Sequence, residues 1–188
     1  MKGIDKLWKT AADQNWTKTV DGVRAHLSIL VRIIYEPDQE RLSPSFTKNN
    51  PIYFAYRPTS VAANDGKWHH ICASWGNTVG SWKFYKDGAV AAQGIGHKTG
   101  HVIKSGGSIV LAQEQDSPGG GFNPNQSFIG MLTNVNVWDH ALSTAQIEQM
   151  SKSCLSGEGN VYKWSDFIHG REGNAQVIKP SPCKPLSA

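Results

Sequence analysis

Charge is scarce in this 188-residue chain: only 18% of its residues are Asp, Glu, Lys or Arg, and the formal net charge is +4. Lys and Arg nowhere cluster among aromatics, so the basic stripe that marks a nucleic-acid surface is missing. No run approaches the ~20 apolar residues needed to span a bilayer as a helix. Cysteine is limited to Cys72, Cys154 and Cys183. Three is too few for a disulfide-dense scaffold, and in a secreted protein an odd count leaves one thiol over. There is no Gly-x-Ser-x-Gly elbow to support a serine nucleophile, no internal repeat and no low-complexity tract. Met1-Lys2-Gly3 opens no apolar signal region. The chain is therefore expected to be a piece of a longer secreted protein, or else not exported by the usual signal.

What is present suits short strands and turns: 19 Gly, 9 Pro and 7 Trp. Ala25 to Tyr35 is dense in β-branched and apolar residues and fits a buried strand, with a short helix as the alternative by pattern alone. Pro37, Pro44 and Pro51 then break the run. Further strands are expected at Ile52–Tyr56, Trp68–Trp75, Trp82–Tyr85, Ala89–Gln93, His101–Ile103, Ser108–Ala112, Phe128–Leu132 and Val135–Trp138. Trp68–Trp75 alternates large apolar with small or polar groups, as a half-buried strand does. Asp87-Gly88 between two of these runs is a strong hairpin signal, because both residue types accept positive φ. Ser143-Thr144-Ala145-Gln146 reads as a capping box and predicts one short helix from about Thr144 to Lys152, with Ile147 and Met150 on its buried face. Evenly spaced strands with one helix predict an all-β fold, an antiparallel two-sheet sandwich with the helix on one sheet. The large rings of Trp68, Trp75, Trp82 and Trp138 fall in strand patterns and are expected in the core.

The chemistry concentrates between Gly107 and Ile129. An apolar strand pattern runs into Glu114-Gln115-Asp116, and a loop rich in glycine and amides returns to a second apolar run. In an extended chain Glu114 and Asp116 share one side, with the Gln115 carbonyl between them. Oxygen donors of this kind suit Ca²⁺, which takes roughly 6–8 of them at about 2.3–2.6 Å.

His70-Ile71-Cys72-Ala73-Ser74-Trp75 fits the pentraxin pattern His-x-Cys-x-Ser/Thr-Trp. Leu111 to Ser117, then Gly119-Gly120-Gly121-Phe122 and Gln126, resembles the pentraxin calcium loop, and Asn134 to Asp139 resembles the strand that follows it. The resemblance covers about Ile52 to Cys183 and is nearest to neuronal-type pentraxins, or to pentraxin modules of large extracellular proteins. It implies a jelly roll of the legume-lectin and laminin-G type, Ca²⁺ as cofactor, an anionic or carbohydrate ligand, a homo-oligomer such as a pentameric ring, and an extracellular location. Residues 51–183 would form the pentraxin-like domain, 1–50 a poorly matched first part and 184–188 a tail.

Carried over by position, the resemblance implies Glu114, the Gln115 carbonyl, Asp116, Gln126 and Asp38 as metal ligands. Gln39 departs from the family's Asp-Asn pair, and Asn123 stands where the family has an acid. A second calcium ion in the loop is accordingly expected to bind weakly or not at all. The resemblance further implies a Cys154–Cys183 disulfide, since cysteines recur in such tails. Cys72, whose family partner would stand in an early strand, has no cysteine before it and is expected to be a buried free thiol.

Several competing readings weigh less. Read alone, Glu114 and Asp116 fit a solvated strand end, but the glycine loop and Gln126 argue for a joint role. Laminarinase-like hydrolases on similar sandwiches carry Glu-x-Asp-x-Glu, which would need an acid at position 118; Pro118 stands there, so a binding module and not an enzyme is expected. Two sequons, Asn15-Trp16-Thr17 and Asn125-Gln126-Ser127, are present, and a glycan on Asn125 would crowd the loop, so that sequon is expected to be unused. Gly94, Gly96 and Gly100 around His97 and His101 oppose a helix, so a solvated hairpin is expected there in place of a zinc pair. His70 is expected to be packed near Cys72 and Trp75. An adhesive or assembly module with a decayed calcium site is the second functional reading.

Overall fold

The computed structural model describes residues 26–35 by their backbone, together with 65–101, 109–112, 117, 120–123, 128, 130–154, 157–169, 171, 173 and 175–183. Among the described residues five strands make one antiparallel sheet: β1 (His26–Tyr35), β2 (His69–Gly76), β3 (Ser81–Lys86), β4 (Ala89–Gly94) and β5 (Gly130–Trp138). Their order is β4-β3-β2-β1-β5. The β-branched run after Ala25 is thus a strand, and it holds an interior position between β2 and β5.

β2 is buried along its whole length. The expectation of a half-buried strand is corrected here, because both faces of the sheet are covered. On one face Trp75 joins Val135, Val137, Tyr162 and Phe167, with Ile109, Leu111 and Trp164 packed against them. On the other, Cys72 joins Tyr85, Trp138, Leu142 and Ile147. Successive residues of a strand point to opposite faces, so Cys72 and Trp75 belong to different cores.

The β3–β4 hairpin turns at Asp87 (φ 53°) and Gly88 (φ 86°), the pair of positive φ values that a mirror-image type I turn requires. β4 lies at the sheet edge, and Ala91 is an extra residue there, since Phe84 pairs with Ala92 and Tyr85 with Val90. Such a bulge blunts an exposed edge.

Two strands expected near the carboxyl side are joined in one. The pairing Leu30 to Asn136 and then Arg32 to Thr133 sets two residues of β5 opposite one of β1. Asn134 takes a left-handed conformation (φ 53°) at that bulge. The Asn136 amide nitrogen donates to the Asn134 carbonyl and side-chain oxygen, at 3.0 and 2.9 Å, and its own oxygen accepts from Gly159 N–H at 3.0 Å.

The expected helix is α1 (Thr144–Ser151), and both halves of its capping box form between Ser143 and Gln146. Ile147 is fully buried on the Cys72 face. A second helix, α2 (Trp164–Ile168), corrects the expectation of a single one. It lacks a long apolar period, but Phe167 reaches the Trp75 core. Cys154 and Cys183 form the expected disulfide, with Cα atoms 6.2 Å apart, and Cys72 is the buried free thiol.

Candidate functional site

The described part of the strand expected at Ser108–Ala112, residues 109–112, is not one of the sheet's strands, but Ile109 and Leu111 pack against the Trp75 core. The chain enters the loop at Ala112, whose φ of 68° lies in the left-handed region. It returns at Phe128, whose N–H donates to the Ala112 carbonyl at 2.9 Å. Within the loop, Ser117 and Gly120 exchange both backbone hydrogen bonds, at 3.3 and 3.0 Å, which closes a tight turn. The loop is therefore pinned at its neck and again near its middle.

Asp38, Glu114, Gln115, Asp116 and Gln126 lie outside the described residues, as do the expected strand at Ile52–Tyr56 and Val102–Ile103 of the His101–Ile103 strand. Asn123, at the position of the missing acid, is described and exposed. Among the described residues, no group of three or more His, Cys, Asp or Glu is placed to hold a metal ion. The donor set read from the sequence is nonetheless all oxygen, with three carboxylates and two amide-type oxygens, which matches a hard cation.

A polar arrangement that sequence reasoning missed lies at the start of β2. His69 is buried, and its ring nitrogens sit 2.8 Å from Asp65 Oδ1 and 2.7 Å from Asp87 Oδ2. Asp87 Oδ1 also accepts from His70 N–H at 2.9 Å, and Asp87 N–H donates to the His70 carbonyl. Asp87 thus closes the hairpin and holds β2 at once. The hydrogen bond from His69 draws the exposed Asp65 carboxyl below its ordinary range. The four-residue spacing of Asp65 and His69 was the only sequence signal, and Asp87 meets them only across the sheet.

Among the described residues the remaining histidines assemble no metal site. His70 is fully buried in β2. His97 and His101 lie in turns, where their carbonyls accept from Trp75 Nε1–H at 2.8 Å and from the Asn77 amide at 3.0 Å. Burial pushes the Cys72 thiol up, far above its usual range, which keeps it protonated and unreactive. Asp139 is held low by the amide of Asn160 at 2.7 Å, and then by His140 at 3.0 Å.

A sequence model described as the Pentaxin family matches residues 34–180, a span that includes all five expected metal ligands. The protein named "Sushi, von Willebrand factor type A, EGF and pentraxin domain-containing protein 1" of Rattus norvegicus is 43% identical over 122 residues, covering 64% of this chain and 3% of that protein. Neuronal pentraxin-2 of Cavia porcellus is 40% identical over 124 residues, 63% of this chain and 29% of its own length. The chain therefore spans less than a third of these relatives. Among solved structures, the native heptameric SAP-like pentraxin from Limulus polyphemus superposes with a TM-score of 0.59 at 27% identity, over 75% of this chain and 76% of that one.

Proposed function

The chain belongs to the pentaxin family, and from that premise we propose that it is a calcium-dependent binding module and not an enzyme. Its ligand is an anionic or polyol group, such as a phosphate or a sugar. Glu114, the Gln115 carbonyl, Asp116, Gln126 and Asp38 would hold Ca²⁺, which when bound supplies coordination positions that ligand oxygens can fill. The protein's own part is to bring these oxygens together and hold them. The observation that carries this reading is the Phe128–Ala112 hydrogen bond, which draws together the two flanks from which Glu114 and Gln126 extend.

The same premise supports several wider expectations. The five-strand sheet is one layer of a two-sheet jelly roll, and residues 51–183 form the domain with a first part in 1–50. The Cys154–Cys183 disulfide favours an oxidising, extracellular setting. A ring of identical subunits, such as a pentamer, is the expected assembly, supported by the heptameric neighbour. Closure of a ring needs two different complementary patches on each subunit, and sedimentation velocity showing only monomer would remove it.

The test is calorimetric. Calcium should raise the melting temperature of the natural chain and leave the Glu114→Gln, Asp116→Asn double variant unmoved; equal shifts in both would overturn the site. A second reading, an adhesive or assembly module with a decayed site, draws on Asn123, which offers no carboxylate to a bridging ion. It predicts no heat of calcium binding to the natural chain.

A further inference from the structure

One end of the sheet carries an apolar tip that the calcium loop does not explain. The segment from Asn77 to Gly80 and the segment from Ile95 to His101 are zipped together: Gly96 N–H donates to the Val79 carbonyl at 2.9 Å, His97 N–H to Gly80 at 2.9 Å, and Gly100 N–H to Asn77 at 2.8 Å. The Asn77 amide and the Trp75 indole add 3.0 and 2.8 Å bonds to the carbonyls of His101 and His97. On this braced support Ile95 is 80% exposed and Val79 56%. These exposures are large for side chains of that kind, and the backbone bonds stop the two segments from folding them inward.

Within the two segments and β3 the charge has one sign. Lys98, in the second segment, and Lys83, two residues into β3, are both exposed. Asp87 is the only acid from Gly66 to Gln113, and it is engaged at the far end of the hairpin with His69 and the His70 amide. Trp82, half-buried against Gly94 and the Trp75 core, supports the tip from below.

The geometry points to this tip as a docking surface for an anionic lipid bilayer, reached without calcium. Exposed aliphatic groups enter the acyl boundary and lysines meet the negative surface. A soluble polyanion would match the lysines but would leave Ile95 and Val79 facing water.

The experiment uses the full chain and vesicles of phosphatidylserine with phosphatidylcholine, in chelator, with vesicles of phosphatidylcholine alone as the comparison. The natural chain should co-sediment with the mixed vesicles. Ile95→Asp with Val79→Asp should weaken this by at least about tenfold, and Lys98→Ala by about fivefold, with melting temperatures unchanged because all three side chains are exposed. Several outcomes would overturn the proposal: no binding in chelator, equal binding by natural chain and variants, or retention on heparin without vesicle binding. A change in sedimentation coefficient with unaltered vesicle binding would also overturn it, since the tip would then lie between copies of the chain.

Discussion

Gly159 shows how little freedom a single position can have. A Cβ placed there would collide with the Tyr162 carbonyl oxygen and lie within 2.6 Å of the backbone nitrogen and oxygen of Val137. Backbone cannot swing aside as the end of a side chain can, so Gly159→Ala must displace β5 or the segment bridged to it. Destabilisation by about 1–3 kcal/mol, or more, is expected from such overpacking, measured by urea unfolding. Protonation also acts at this scale. Asp65 and Asp139 both have folded-state pKa values lowered below 3.8. The unfolded chain therefore binds more protons in that range, and the contribution present above 3.8 is lost as pH falls through the lower, folded values. Both carboxylates are about half exposed, so screening keeps the effect small. Removing the Asn160 amide should flatten it: below pH 3.8 the melting temperature of Asn160→Ala should fall less steeply than that of the natural chain.

At the scale of elements, α1 shows local chemistry and packing in agreement. The Ser143 hydroxyl accepts from Gln146 N–H at 3.3 Å, and the Gln146 side-chain oxygen accepts from Ser143 N–H at 2.9 Å. Ile147, one residue on, is the side chain that packs under the sheet. Ser143→Ala should cost about 1 kcal/mol in equilibrium unfolding, and Ser143→Asp, which keeps an acceptor at the cap, should restore most of it. The β3–β4 hairpin couples to the same helix, because Gly88 sits against Ser151 and Glu148 as well as holding a φ of 86°. A turn residue here is set by two demands, its own backbone and the helix above it.

At the scale of the molecule, the two faces of the sheet are tied to the tail. Tyr162 and Phe167 close the Trp75 core, and the Cys154–Cys183 bond fastens the later chain to the end of α1 over a separation of 29 residues. A loop of that length contributes about 3–4 kcal/mol in the chain-entropy account. Cys154→Ser with Cys183→Ser should lower unfolding stability by about that amount, and a reducing agent should do the same to the natural chain while leaving the double variant unchanged. Buried Cys72 stays outside this exchange, because the attacking species is the thiolate that burial suppresses.

Features that depend on a few neighbouring residues were legible in the amino-acid order: the Asp87-Gly88 turn, the Ser143 cap, the strands around Trp75, Phe84, Val90 and Val137, and the oxygen-rich composition of the loop after Leu111. Each rests on φ preference, side-chain reach or alternation within a handful of positions. Only the tertiary structure decided that β1 takes an interior place, that β2 is covered on both faces, that a bulge at Asn134 makes one strand of two apolar runs, and that Asp65 and Asp87 meet at His69. Those outcomes depend on which distant segment lies alongside, and the alternation of a strand specifies its two faces without naming what will cover them.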